Sequence, residues 1–287
     1  MRRRELIKAG LLGVAALPLL PFSFAVAADS ADAFAALERS HGGRLGVAVL
    51  DTGSGKRLLH RADERFLLCS TGKLLAVAAV LARVDQGEER LDRRIVFRRE
   101  DVLDWAPVTR SHAGPPGMTI EELCQAAMIV SDNTAMNLLL TTLGGPARLT
   151  RFVHGLGDPL TRFDRPEPSL NVPGPGGFED TTTPLAMLDD MRQVLLGDVL
   201  SPASRGRLLD WLRHNTTGTA QLRAGLPAGW GAGDKTGASQ TQNNDVAIVW
   251  PPGRAPLLIA AYYEGPELTA EARKAVLAQV GARAAGV

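Results

Sequence analysis

Only five of the 287 residues are lysine (Lys8, Lys56, Lys73, Lys235 and Lys274), although Lys and Arg together number 32. With so few, a lysine at a chemically useful place is less expected by chance. Cysteine is scarcer still, with Cys69 and Cys124 alone. Two cysteines exclude a disulfide framework in a chain of this size, and both read as small buried thiols. No excess of charge exists either: 32 basic residues face 31 acidic ones, for a formal net charge of +1. That balance excludes the concentrated basic patch that nucleic acid or an anionic membrane surface requires. The five histidines (His41, His60, His112, His154 and His214) show no ligand spacing, so neither a metal nor another cofactor is expected. Gly53-Ser54-Gly55-Lys56 lacks the leading Gly and following Ser or Thr of a phosphate-binding loop. Past residue 27 no run is long and apolar enough to span a bilayer, and no internal repeat is present.

The start of the chain is different. Arg2, Arg3 and Arg4 precede an apolar stretch over 9–26, and Ala25-Val26-Ala27 offers a small-residue cleavage site. Arg3-Arg4-Glu5-Leu6-Ile7-Lys8 has the look of a twin-arginine export signal, which carries folded proteins. The alternative is an uncleaved anchor, but Pro18 and Pro21 interrupt the segment. Residues 1–27 are therefore expected to be an export signal, leaving a periplasmic or secreted protein without a membrane segment.

Beyond it, 31–41 reads as a short amphipathic helix closed by Gly42-Gly43, then 44–50 as a strand and 56–60 as its hairpin partner. From 70 to 84 the chain is apolar on every side, the mark of a helix buried in mid-domain. Helical periodicity follows to about 215, clearest over 119–130, 134–142, 184–196 and 203–213. A Pro- and Gly-rich segment over 155–182 interrupts it, too long for a mere connection. Strands return at 231–238, 245–250 and 257–263, and a last helix covers 269–284. The expected fold is α+β. One antiparallel sheet formed by both chain ends (28–62 plus 215–287) is covered by helices, with an all-helical lobe (63–214) inserted.

Four short stretches can carry chemistry. In Ser70-Thr71-Gly72-Lys73, residues three apart share a helix face, so the Lys73 amine falls beside the Ser70 hydroxyl. Free N–H groups at a helix start favour an oxyanion there, and desolvation of Lys73 favours a neutral amine able to act as base. An N-cap serine with a snorkelling lysine is the alternative. Ser131-Asp132-Asn133 reads as a loop before a helix: either an N-cap cluster, or a hydroxyl relaying a proton beside an amide that holds substrate. Lys235-Thr236-Gly237 falls inside a strand, where glycine marks the close approach of another backbone or a ligand. Its Lys and Thr either bind a carboxylate or are solvated. Glu167, between Pro166 and Pro168, is one carboxylate on a stiffened loop with Asn171 nearby. Arg165 and Asp180 flank that loop and could pin its ends together.

Ser-x-x-Lys, Ser-Asp-Asn and Lys-Thr-Gly, in this order and with Glu167 between the last two, resemble the class A serine β-lactamases over nearly all of the chain past the leader. Trp105-Ala106-Pro107-Val108-Thr109, Gly117-Met118-Thr119, Asp180-Thr181-Thr182-Thr183-Pro184 and Pro227-Ala228-Gly229-Trp230 are similar too. The resemblance implies the serine β-lactamase and DD-peptidase type of fold and a monomer that hydrolyses β-lactams. It makes Ser70 the nucleophile and Lys73 its proton acceptor or relay. Glu167 and Asn171 would hold the hydrolytic water, Ser131 would protonate the leaving nitrogen, and Asn133 would hold the substrate's side-chain amide. Lys235 and Thr236 would bind its carboxylate, and Trp105 would wall the cleft. Next to Gly237, the N–H groups of Ser70 and Ala238 would form the oxyanion hole. A penicillin-binding DD-peptidase or a non-catalytic β-lactam sensor shares part of this pattern, but Glu167 argues for turnover. The sequence also departs from the family. Gly72 and Pro166 stand where larger residues are common, and the usual carboxylate-binding Arg is replaced by Asn243 or Asn244 and Gln221, with Lys274 as a substitute charge. Val77 cannot bridge to Cys124, nor Ser239 to Cys69.

Overall fold

The computed structural model describes residues 25–287. Of the expected export signal, all but residues 25–27 lie outside the described residues. Those three begin helix α1 (Ala25–His41), which is longer than the sequence pattern suggests. Strands β1 (Arg44–Asp51) and β2 (Arg57–His60) form the hairpin, and β3 (Phe66–Leu67) leads to a 3₁₀ turn, Cys69–Gly72, and helix α2 (Lys73–Asp85). Then come β4 (Arg94–Ile95), β5 (Met118–Thr119), α3 (Ile120–Ile129), α4 (Asn133–Leu143) and α5 (Pro146–Gly155). After the long loop follow β6 (Thr181–Thr182), α6 (Pro184–Leu196), α7 (Pro202–Arg213) and the short α8 (Leu222–Gly225). Strands β7 (Gly231–Ala238), β8 (Gln242–Trp250) and β9 (Leu257–Glu264) and helix α9 (Ala270–Ala284) complete the chain.

The sheet runs β2-β1-β9-β8-β7 and every neighbour is antiparallel, so the first and last strands of the chain meet at β1 and β9. Their register places Val47 opposite Ala261 and Val49 opposite Ile259. Because side chains alternate along a strand, the sheet has two apolar faces. Leu45, Val47, Val49, Ile259, Ala261 and Tyr263 pack with Phe34 and Leu37 of α1 and Val276, Leu277 and Val280 of α9. Ala48, Leu50, Val246, Ile248, Leu258, Ala260 and Tyr262 belong to the larger core shared with α2 to α7. Helix α2, buried along Lys73 to Ala82, is the axis of that core. Helix starts follow local chemistry: the side chains of Thr119, Asp132, Thr183, Ser201 and Thr269 each accept a backbone N–H of the first turn.

Two elements differ from the sequence reading. The chain over 70–84 forms a regular α-helix only from Lys73, because its first turn is tightened to 3₁₀. Strand β8 begins at Gln242 rather than 245, since Gln242, Asn243, Asn244 and Asp245 are all buried in the sheet despite their polarity.

Candidate active site

Cys69 adopts a φ of 46°, a left-handed conformation that is costly for a residue with a Cβ, and the 3₁₀ turn starts there. In a 3₁₀ helix positions i and i+3 eclipse, which sets the Lys73 side chain directly against Ser70. Lys73 Nζ lies 2.9 Å from Ser70 Oγ. It also meets Ser131 O at 2.8 Å, Asn133 Oδ1 at 2.6 Å, Ser131 Oγ at 3.2 Å and Glu167 Oε1 at 3.0 Å. Ser70 Oγ is itself 3.2 Å from Glu167 Oε1. One hydroxyl thus faces an amine and a carboxylate at once.

The Ser131 loop is held from behind. Asp132 is fully buried, and its carboxylate accepts the N–H groups of Ala135, Val108 and Thr109 and the Thr109 hydroxyl. The loop therefore does act as an N-cap, as one reading of the sequence holds, and that cap fixes Ser131 at a φ of 59°. The Ser131 hydroxyl lies between two amines, 3.2 Å from Lys73 Nζ and 3.0 Å from Lys235 Nζ. Trp105 is tied to the same loop: its indole N–H donates to Val130 O at 3.1 Å, and its carbonyl accepts Asn133 N–H at 2.9 Å.

Glu167 is buried, although its neighbours Pro166 and Pro168 are exposed. Arg165 Nε meets Asp180 at 2.6 Å, so the two ends of the loop are joined. Asp180 also accepts the N–H groups of Asp164 and Arg165. Asn171 Nδ2 donates to Glu167 Oε2 at 2.5 Å, while Asn171 Oδ1 is buried without a partner. Asn137, which the sequence reading passed over, clamps the Glu167 backbone. Its Oδ1 accepts Glu167 N–H and its Nδ2 donates to Glu167 O, both at 2.9 Å. The available signal was spacing, because Asn137 stands four residues after Asn133 on α4 and so on the same face.

On β7, Lys235 is wholly buried despite its edge strand, with Nζ also donating to Thr236 O at 2.8 Å. Thr236 Oγ1 shares a proton with Thr217 Oγ1 at 2.5 Å, a partner without a sequence signal. At Gly237 a Cβ would fall 3.0 Å from Cys69 Cβ, 3.1 Å from Leu68 O and 3.2 Å from Ser70 N. The strand can approach the Ser70 turn this closely because residue 237 carries no side chain. A cleft of about 440 Å³ lies over these groups, lined by Ser70, Trp105, Ser131, Asn133, Asn171, Thr236, Gly237 and Ala238. Lys73, Glu167 and Lys235 are buried beneath it. Gln221, Asn243 and Lys274 line its other end, and the buried Gln221 Oε1 has no partner. Asn244 turns away, donating to Leu67 O at 2.9 Å, so of the two asparagines only Asn243 faces the cleft.

Burial pushes the Lys73 amine below its usual range, opposed by the adjacent Glu167 carboxylate. Lys235 falls to about 7, through burial and then the like charge of Lys73. Lys73, its amine lowered by burial, touches the Ser70 and Ser131 hydroxyls, and Lys235 meets Ser131 from the other side, a chemistry suited to moving protons during acyl transfer. Cys69 and Cys124 are free and buried, and burial raises both thiols. Among the described residues no cluster of His, Cys, Asp or Glu could hold a metal ion.

The model of the β-lactamase enzyme family matches residues 29–286. The chain is 46% identical to β-lactamase OXY-1 of Klebsiella oxytoca, with 94% of each chain covered. It is 45% identical to β-lactamase CTX-M-8 of Citrobacter amalonaticus over 97% of each. The chain belongs to the class A β-lactamase family. Among solved structures it is similar to the class A β-lactamase of the last common ancestor of Gram-negative bacteria, at 56% identity and a TM-score of 0.86, over 88% of this chain and 97% of that one.

This class A β-lactamase has a volume exchange at the base of its loop. A Cβ on Gly72 would lie 2.6 Å from Phe163 Cε1. The Phe163 ring fills the space beside the nucleophile helix, and its backbone is held by Thr150 through bonds of 2.9 and 3.0 Å. The small residue at 72 is thereby explained.

Proposed function

We propose that this chain opens the β-lactam amide with Ser70 and hydrolyses the resulting acyl-enzyme with a water held by Glu167 and Asn171. The observation that carries this reading is the placement of Ser70 Oγ within 2.9 Å of Lys73 Nζ and 3.2 Å of Glu167 Oε1. Either group can take the hydroxyl proton as the oxygen attacks. The N–H groups of Ser70 and Ala238 stabilise the oxyanion, at the point where Gly237 lets the strand reach the nucleophile turn. Ser131, between two amines, passes a proton to the departing ring nitrogen. Asn133 holds the acyl side-chain amide, Trp105 walls the cleft, and Lys235 and Thr236 bind the substrate carboxylate, with Lys274 supplying further positive charge. Glu167 then draws a proton from water whose other partner is the unpaired Asn171 Oδ1. The cleft lies between the sheet lobe (28–62 with 215–287) and the helical lobe (63–214). Residues 1–27 export the chain, which acts as a monomer in the periplasm or outside the cell. Among the described residues no helix is long and apolar enough to cross a membrane.

The test mixes benzylpenicillin with purified protein and with a Glu167→Gln variant, following ring opening and the mass of the Ser70 peptide. The parent should turn over many equivalents with little lasting adduct, whereas the variant should open about one equivalent and keep the acyl group. A parent that stalls after one equivalent would instead be a penicillin-binding peptidase or a sensor.

A further inference from the structure

Asp158 and Asp190 form a buried carboxyl pair away from the cleft. Asp158 is 6% exposed and Asp190 2%. The Asp158 carboxylate accepts Leu160 N–H at 2.7 Å and Thr161 N–H at 3.1 Å, just before the Glu167 loop. Thr161 is itself fully buried and shares a proton with Thr182 at 2.6 Å, while Arg162 N–H donates to Thr181 O at 3.1 Å. Both strands of the loop's neck are thus fastened through the segment that Asp158 holds. Asp190 comes from helix α6 and lines the same hollow as Asp158, whose facing carboxyl raises its own. The backbone N–H groups go to Asp158, and Asp190 Oδ2 is buried with no donor beside it. Two ionised carboxylates in this position would repel one another, and neither could donate. One proton between them removes both difficulties.

We propose that Asp190 is a positioning residue for Glu167: it keeps its proton, donates it in a hydrogen bond to Asp158, and so fixes the neck of the loop. The proposal rests on the deacylating role given above to Glu167. Its physical basis is general, since burial and the facing carboxylate hold Asp190 protonated up to about 9. The charged groups around it are few. Asp189 on the same helix is paired with Arg57 of β2 at 2.8 Å. Asp63 and Arg192 line a hollow of about 340 Å³ beside the pair. Tyr262 of β9 is buried, and burial keeps its phenol neutral. The other elements packed on α6, β1 and α7, contribute apolar residues of the shared core, such as Ala48, Leu50 and Leu208.

Two substitutions separate a donor from a filler. Asp190→Asn retains an N–H donor toward Asp158 without a titrating group, and Asp190→Leu retains bulk alone. The infrared spectrum of the parent at neutral pH should carry the carbonyl band of a protonated buried carboxylic acid, absent from Asp190→Asn and lost as pH passes about 9. Linkage supplies a second readout. A carboxyl raised in the folded state contributes stability that is full below its unfolded value and declines as pH rises toward its folded value. The melting temperature of Asp190→Asn relative to the parent should therefore rise between about pH 5 and 8. With benzylpenicillin, kcat should fall about tenfold in Asp190→Leu, with acyl-enzyme accumulating, because a displaced base loses its alignment with the water. In Asp190→Asn it should stay within about twofold of the parent. No acid band together with a pH-independent melting difference would overturn the proposal. So would a band that depends on added potassium or sodium chloride, which would put a cation between the carboxyls. The spectrum and the melting curves need no substrate, so they stand even if the assignment of Glu167 fails.

Discussion

Replacing Asn137 by Ala cuts the only side-chain clamp on the Glu167 backbone among the described residues, and its effect can be sized. Two hydrogen bonds of 2.9 Å are lost, leaving a backbone N–H and a carbonyl beneath the cleft without their partner. Each such bond contributes about 1 kcal/mol net, and an unpaired buried group costs roughly 1–3 kcal/mol. Water entering the vacated space offsets part of that, which sets the expected loss at about 2 kcal/mol for the closed loop. At 1.4 kcal/mol per factor of ten, this is roughly a 30-fold fall in the ratio of loops that hold Glu167 in place to loops that do not. The nucleophile turn is built separately, on Cys69, Lys73 and β7, so ring opening should suffer less than hydrolysis of the acyl-enzyme. Stopped-flow mixing with a penicillin should show a burst of about one equivalent, followed by turnover about 10- to 30-fold slower than in the parent. The Ser70 adduct should be visible by mass spectrometry during the slow phase. Slowing of both steps by the same factor, or no slowing at all, would refute the separation of loop and nucleophile turn.

Lys235 falls to about 7, so the free enzyme loses this positive charge as pH rises through neutrality. The kcat/KM for carboxylate-bearing β-lactams should therefore decline above about pH 7, and Lys235→Arg should abolish that decline while lowering the plateau. Lys274→Ala should raise KM several-fold with kcat little changed, and more so at low salt; unchanged KM would remove Lys274 from the carboxylate end of the cleft. Asp180→Asn removes the buried carboxylate that faces the partly exposed Arg165 and should cost about 2 kcal/mol, read as a lowered denaturation midpoint.

What could be read from the sequence follows from how local each constraint is. Ser70 and Lys73 lie three residues apart, and Gly237 sits within a strand; helix periodicity and the small size of glycine then dictate what they face. The joining of Arg165 to Asp180 was legible because both bracket one Pro-rich loop. The sheet was legible in its alternation, but the start of β8 was not, because Asn243, Asn244 and Asp245 break the apolar pattern and are buried by specific bonds. Asn243 accepts from Arg273 Nε at 2.8 Å, and Asp245 accepts Leu222 N–H at 3.1 Å. These partners are distant in sequence, and hydropathy carries no trace of them. Thr217 and Asp190 escaped for the same reason: each acts through a residue that only the fold brings near.

The contact between Gly72 and Phe163 has a consequence for how this enzyme can change. The aromatic ring that packs against the nucleophile turn belongs to the loop and not to that turn, so positions 72 and 163 amount to a single allotment of space divided between two segments. A bulky side chain at 72 has nowhere to go while Phe163 is in place, and a small one at 163 leaves a hole beside the nucleophile turn unless 72 grows to fill it. Either change alone should injure the protein, and both together should restore it. A variant library that samples these sites one at a time will find neither, and will judge the packing behind the nucleophile turn immutable when it is only jointly determined.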